Sequence, residues 1–124
     1  MPKIYQFGCN KCDFRLPGGW GGIMYVTDDD GKRIICSHPG EMYTVYSVIG
    51  QDATHEECMN RTGFLSNCYC SDCLHQFSLD LERDTRVCEK CGSEKVKSIK
   101  ESVGKRCPKC KDGKITATDT GAIC

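Results

Sequence analysis

Hydrophobic and polar residues alternate over short stretches of this chain, which is the pattern of β-strands with one buried face. Phe77, Leu79 and Leu81 alternate with polar residues, and 83–85 has the composition of a turn. We predict that a strand over 77–81 turns at 83–85 and that the chain runs back toward Cys88 as a hairpin. Ile, Val, Thr and aromatic residues predict further strands over 23–26, 32–35, 42–49, 96–99 and 115–118.

Residues 52–61 alone carry the signals of a helix. Thr54 and Glu57 have the spacing of a capping box, and Gly63 stands where a helix is able to end. Between the strands, 28–31 ends in Asp-Gly and predicts a hairpin turn. The Gly-rich run 17–22 predicts a wide turn, since it lacks the Gly-Lys-Ser/Thr ending of a phosphate loop. The pattern therefore predicts a small, β-rich fold of hairpins with one short helix.

The number of cysteines indicates that metal ions stabilise this fold. Of 124 residues, 12 are Cys, and the other apolar residues are few for a self-sufficient core. The chain begins without an apolar leader, so we expect a cytoplasmic protein whose reduced thiols bind metal. A disulfide framework is the alternative. No apolar run is long enough to predict a membrane span.

The most specific motif is a pair of Cys-x2-Cys knuckles separated by 14 residues, made by Cys70, Cys73, Cys88 and Cys91. Two such knuckles are able to hold one tetrahedral zinc ion when a hairpin joins them. A second register is open, because Cys88 and Cys91 also have ribbon spacing to Cys107 and Cys110. We prefer the first register, since 77–87 is the better hairpin.

The segment 70–92 resembles a rubredoxin-type zinc ribbon. Gly92 follows the second knuckle, as this resemblance implies, whereas Leu74 after the first knuckle departs from it. The segment 107–124 resembles the first part of the zinc ribbons appended to DNA topoisomerases and related nucleic-acid proteins. That resemblance implies a set of Cys107, Cys110, Cys124 and a fourth ligand. Cys68 is the candidate for this place, and a water molecule and an absent fourth ligand are the alternatives.

A further site is predicted near the start of the chain, from Cys9, Cys12, Cys36 and His38. Cys68 competes with His38 for the last place in this set. Cys58 is left over and is expected to be buried in the helix. We predict two or three zinc ions, with iron as the less favoured metal, on a set of twelve ligands: Cys9, Cys12, Cys36, His38, Cys68, Cys70, Cys73, Cys88, Cys91, Cys107, Cys110 and Cys124.

These motifs divide the chain into four predicted segments. Residues 1–50 form an N-terminal zinc-binding β module, and 51–66 form a short helical linker. Residues 67–100 form a zinc ribbon, and 101–124 form half of another ribbon. The predicted fold class is thus a small, β-rich, metal-stabilised chain of tandem zinc ribbons and hairpins.

Thiolate-rich sites favour a structural role, because thiolates donate charge to zinc and weaken it as a Lewis acid. We therefore expect a protein that is not an enzyme and takes no small-molecule substrate. Residues 86–114 hold ten Lys and Arg against four Asp and Glu, which suits either contact with nucleic acid or compensation of thiolate charge. An adaptor for nucleic acid or for a protein partner is the leading hypothesis. A rubredoxin-like iron electron carrier and a zinc or redox sensor are the alternatives.

Overall fold

Eight strands and three helices form within residues 3–123, the range that this computed structural model describes. In chain order they are β1 (Lys3–Cys9), β2 (Arg15–Gly19), β3 (Gly22–Thr27), β4 (Arg33–Ile35), α1 (Glu41–Ile49), α2 (His55–Arg61), β5 (Thr62–Cys70), β6 (Gln76–Leu79), β7 (Val96–Ser98), α3 (Ile99–Ser102) and β8 (Ile115–Ile123). The strands make two antiparallel sheets, of three and five strands. The predicted class, a small β-rich fold with cysteine groups able to bind metal, is confirmed.

The chain divides into two compact units that do not follow the order of the predicted segments. The first unit combines the residues up to Gly22 with the residues from Ser66 onward, and the second is Ile23–Leu65. Strand β5 contributes residues to both. The early and late parts of the chain thus share one unit, which local motifs do not indicate.

In the first unit, β1 is the central strand of the three-stranded sheet, with β2 on one side and β8 on the other. The pairing of β1 with β8 is antiparallel and runs from Lys3 opposite Ile123 to Cys9 opposite Ile115. Apolar side chains that include Phe7, Phe14 and Ile115 pack into a core against this sheet. The pairing brings the end of β1 beside the start of β8.

The rest of the first unit is built around the second half of β5. Strand β6 pairs with it so that Cys68 lies opposite Phe77, and β7 pairs with it so that Cys70 lies opposite Val96. A second cluster of buried residues, containing Cys68 and Val96, lies there. The strands predicted over 77–81 and 96–99 are confirmed as β6 and β7, with shorter bounds. The hairpin predicted over 77–87 is wrong, because residues 80–95 form turns and no strand, and β6 pairs with β5 instead.

In the second unit, β3 and β4 form the predicted hairpin. The N–H of Gly31 donates to the carbonyl of Asp28 over 3.1 Å, and Gly31 has a left-handed φ of 83°. The predicted helix is also confirmed, as α2, since the Thr54 hydroxyl accepts a hydrogen bond from the N–H of Glu57. It ends at Arg61 and continues directly into β5, so Gly63 does not terminate it.

The strand predicted over 42–49 is wrong, because this segment forms helix α1. Its β-branched and aromatic residues favour a strand by composition. They lie at helical spacing, however, with Val45 fully buried and Tyr46, Val48 and Ile49 packed against the same core. Packing of this apolar face outweighs the weaker local preference.

Candidate metal centres

Two groups of four cysteines are gathered in the first unit. We call them the Cys9 centre (Cys9, Cys12, Cys107 and Cys110) and the Cys70 centre (Cys70, Cys73, Cys88 and Cys91). Within each centre all four sulfur atoms lie within 4.8 Å of one another. The nearest sulfur pairs are 3.5 to 3.6 Å apart. A tetrahedron with metal–sulfur bonds of about 2.3 Å has edges of about 3.8 Å, so both centres have the size that a zinc ion requires.

The Cys70 centre follows the predicted register. Its first knuckle connects β5 to β6, where the N–H of Cys70 donates to the carbonyl of His75 over 2.9 Å. Its second knuckle precedes β7, where the N–H of Cys88 donates to the carbonyl of Ser93 over 2.8 Å. Because β6 and β7 both pair with β5, the two knuckles converge at one end of that strand.

The Cys9 centre differs from every ligand set that the sequence predicts. One knuckle follows β1 and the other precedes β8, so the pairing of these two strands brings them together. The N–H of Asn10 donates to the carbonyl of Lys114 over 3.1 Å. In return the Asn10 side-chain oxygen accepts from the N–H of Lys114 over 3.0 Å.

Close packing at Gly113 completes this centre. A Cβ atom at Gly113 would lie 2.5 Å from the sulfur of Cys9 and 2.8 Å from the side-chain oxygen of Asn10. Only glycine therefore fits between the two knuckles at this position. Its N–H also donates to the sulfur of Cys110 over 3.4 Å.

Backbone N–H groups point at the sulfur atoms. In the Cys9 centre each of the four sulfurs accepts at least one; the donors over 3.3 to 3.5 Å are the N–H groups of Lys11, Phe14, Lys109 and Gly113. In the Cys70 centre Cys88 accepts two, from Lys90 and Cys91, each over 3.4 Å. Such donors stabilise the thiolate form, which is the form that binds metal.

Three of the four knuckles share one backbone geometry. The residue after the second cysteine, Leu74, Gly92 or Lys111, is left-handed, with φ of 65°, 76° and 64°. Its N–H donates to the carbonyl of the first cysteine of its knuckle, over 2.9 to 3.1 Å. Leu74, which departs from the ribbon pattern in sequence, thus adopts the same conformation as Gly92. A residue with a side chain loses about 1–2 kcal/mol of stability in the left-handed conformation. The hydrogen bond within the knuckle holds Leu74 and Lys111 in that conformation all the same.

The thiols of the Cys9 centre have divergent acidities without a cation. Burial opposes ionisation of Cys9, but the N–H groups of Lys11 and Cys12 outweigh it and lower the pKa of Cys9 to about 6. The N–H of Phe14 favours the Cys12 thiolate, yet burial and the neighbouring cysteines raise the pKa of Cys12 to about 12. Four thiolates this close together repel one another, so a bound cation is needed to hold all of them deprotonated.

The Cys70 centre behaves in the same way. The pKa of Cys88 falls to about 6 because N–H groups of Cys91 and Lys90 outweigh burial. The pKa of Cys91 rises to about 12, since burial and the surrounding cysteines outweigh the N–H of Ser93. Both centres are therefore complete sets of four soft donors that match zinc or iron.

One cation lies close to the thiols of the Cys9 centre. Lys109 forms an ion pair with Asp13, which joins the two knuckles. This bond, with the nearby Cys12 and Cys107 thiols, raises the pKa of Lys109. Lys109 is thus a counter-charge for this centre.

Three predicted ligands within the described residues belong to neither group. Cys36 is fully buried in the core of the second unit. His38 lies 2.7 Å from a carboxylate oxygen of Glu41, through its Nδ1 atom. Cys68 is 1% exposed, and its sulfur contacts the carbonyl of Ser66. The structure does not bring these residues to the knuckles for which they were predicted, because Cys9, Cys12, Cys107 and Cys110 lie together instead.

Two cysteines remain, Cys124 and Cys58. Cys124 lies outside the described residues. Cys58, on α2, is buried in the core of the second unit, as predicted. The alternative register of Cys88 and Cys91 with Cys107 and Cys110 is not adopted. One signal for the Cys9 centre is present in the sequence: once the knuckles at 70–73 and 88–91 are paired, those at 9–12 and 107–110 are the two Cys-x2-Cys knuckles left over.

Comparison with protein-family models, curated proteins and solved structures finds no match for this chain. Within the described residues, no helix has the length and apolar character needed to cross a membrane.

Proposed function

We propose that this protein is a zinc-ribbon-type module that holds two zinc ions and works as a cytoplasmic adaptor, not as an enzyme. The observation that carries the proposal is the closure of each centre by four cysteine sulfurs at tetrahedral spacing. Structural zinc sites have four protein ligands, whereas catalytic sites leave one position for water or substrate. The rubredoxin-type likeness of the Cys70 centre rests on its spacing and on the shared knuckle geometry at Leu74 and Gly92.

The metal ions in this proposal stabilise the first unit. At the Cys9 centre the ion would join segments that are distant in the chain, and at both centres N–H groups are directed at sulfur. Zinc bound by four thiolates is a weak Lewis acid, so the ions supply folding energy instead of activating a substrate.

Both partner classes of the adaptor hypothesis have support. The first unit contains the whole basic stretch 86–114, which suits nucleic acid. The second unit exposes large apolar side chains, among them Tyr43 at 79% and Met59 at 60%, which suits a protein partner.

Metal analysis of the purified full chain tests the proposal. We expect two equivalents of zinc by mass spectrometry, and a colourless protein. Cys88→Ser is expected to lose one equivalent, whereas Cys58→Ser, at a buried cysteine outside both centres, keeps two. A folded chain without metal would overturn the proposal.

The exposure of Cys91 favours a second candidate function. It is the exposed cysteine of the Cys70 centre, whereas the other cysteines of both centres are buried or half-buried. An exposed ligand suits electron transfer when iron is bound, or oxidation in a zinc or redox sensor. A red protein with one or two equivalents of iron would establish the iron carrier. Release of one zinc by mild peroxide, with the other retained, would establish the sensor.

A further inference from the structure

An open cleft of about 730 Å³ lies in the first unit, between a knuckle of each metal centre. One side carries Ser71 and Asp72 of the Cys70 centre, and the other carries Pro108 and the residues next to Cys107 of the Cys9 centre. Metal ions in both centres would fix these sides in place. A preorganised site of this kind loses little entropy when it binds a ligand.

The lining of the cleft is strongly basic. Five cationic side chains line it, against the two carboxylates Asp72 and Glu101. The cations are Lys95, Lys97, Lys105, Arg106 and Lys111. All five belong to the basic stretch 86–114, and the fold brings five of the ten cations of that stretch to one cleft.

Both carboxylates already have partners. Asp72 accepts a hydrogen bond from the Ser93 hydroxyl over 2.5 Å and lies 3.9 Å from the ammonium of Lys95. Glu101 forms an ion pair with Arg86 over 2.6 Å, and it caps α3 through the N–H of Ser98. The acidic groups therefore neutralise little of the remaining positive charge.

Lys95 lies beside Asp72, and Lys97 is near enough to Glu101 to help lower the pKa of that carboxyl, which leaves three cations of the cleft without an acidic partner in the described part of the chain. Among the residues that the structure describes, the side chains of Lys105, Arg106 and Lys111 form no ion pair. The cation on which the Cys12 and Cys107 thiols act is Lys109, which is paired with Asp13 and does not line the cleft. The positive charge of the cleft is thus available to a ligand.

We propose that this cleft binds the sugar-phosphate backbone of a nucleic acid, which makes nucleic acid the partner in the adaptor function on which this inference rests. A row of cations suits a polymer with one charge per phosphate, and the Arg106 guanidinium suits two oxygens of one phosphate. The one aromatic residue of the lining, Tyr69, is 1% exposed and donates its hydroxyl to Ser102 over 2.8 Å. It offers no ring face for stacking, so binding depends on phosphate and shows little sequence preference.

Fluorescence anisotropy with the full chain and labelled 20-nucleotide single strands and duplexes tests this, from 50 to 200 mM salt. Three phosphate contacts predict a slope of about −2 to −3 in log K against log salt. Lys105→Gln, Arg106→Gln and Lys111→Gln should each weaken binding roughly tenfold near 0.1 M salt and reduce the slope by about one. Lys32→Gln, an exposed lysine of the second unit, is the matched control and should change neither.

Zinc content, measured on every sample, separates this inference from the proposed function. A chain that holds two zinc ions but binds no oligonucleotide at 50 mM salt would overturn the inference alone. Equal binding by the triple Gln variant would also overturn it. Tighter binding of a poly-glutamate peptide than of either oligonucleotide would overturn it in favour of an acidic protein partner. A folded chain without zinc would overturn the proposed function itself.

Discussion

The sulfur atom of Cys9 lies 3.6 Å from the sulfur atom of Cys110, although 101 positions separate the two residues in the chain. A metal ion at this point closes a loop that contains most of the protein. Closing a loop of this length costs conformational entropy. The pairing of β1 with β8 helps to offset that cost. The Cys9 centre therefore joins the two parts of the first unit.

Removal of metal should unfold the first unit. A structural zinc site contributes on the order of 10 kcal/mol, which is comparable with the whole stability of a typical domain. We expect a strong chelator to collapse the amide NMR signals of β1, β5 and β8 into the range of unfolded chains. Retention of dispersed signals for these strands without metal would show that the apolar core is sufficient.

Gly113→Ala should weaken metal binding at the Cys9 centre alone. The new methyl group would meet the Cys9 sulfur at 2.5 Å, so the two knuckles must separate. Changes just outside the ligand shell commonly lower metal affinity by about 10–100-fold, and we expect that range for one of the two ions in a competitive chelator titration. Gly104→Ala is the control: its Cβ meets nothing within 4 Å, and its left-handed φ of 85°, which Gly113 does not share, strains the backbone without crowding a sulfur atom. Equal affinities in the two variants would contradict the packing at Gly113.

Lys111→Gly should stabilise the protein relative to Lys111→Ala. Both substitutions remove the same exposed side chain, but only glycine relieves the left-handed φ of 64°. We expect the glycine variant to have a free energy of unfolding higher by about 1 kcal/mol, measured by urea denaturation with saturating zinc. An alanine variant of equal or greater stability would show that the knuckle does not impose this conformation.

The sequence predicts the Cys70 centre because its information is local. Cys73 and Cys88 are 15 positions apart, and the strand between them has a clear alternation. Strand β3, the turn at Gly31 and the capped start of α2 are likewise predicted from neighbouring residues. Strand β3, the turn and the helix start depend on residues within one hairpin or one helical turn. The Cys70 centre depends on knuckles that are close in the chain, although the hairpin predicted between them is not formed.

The Cys9 centre is not predicted because its two knuckles are far apart in the chain. Spacing rules compare nearby cysteines, so they assigned Cys36 and His38 to the first knuckle. They assigned Cys124 and Cys68 to the last one. A second cause of the wrong ligand sets is the assumption that almost every cysteine serves a metal site. Cys36 and Cys68 instead pack in apolar cores. Helix α1 was missed for a related reason, because tertiary packing of Val45 outweighs local composition.

The pairing of the four knuckles is the central claim, and controls for it exist within the chain. Each Cys→Ser change at Cys36, Cys58 or Cys68 removes a buried thiol that belongs to neither centre. All three variants should keep both metal ions. Loss of an ion from one of these variants would show that the substituted cysteine is a metal ligand.

Native mass spectrometry of double variants tests the pairing most directly, because it counts the ions on each chain. The single variants Cys9→Ser and Cys107→Ser should each retain one zinc ion. The double variant Cys9→Ser/Cys107→Ser should also retain one, since both cysteines bind the same ion, whereas Cys9→Ser/Cys88→Ser should retain none. If the Cys9 and Cys107 double variant loses two ions, or the Cys9 and Cys88 double variant loses only one, the two ends of the chain do not share a metal centre.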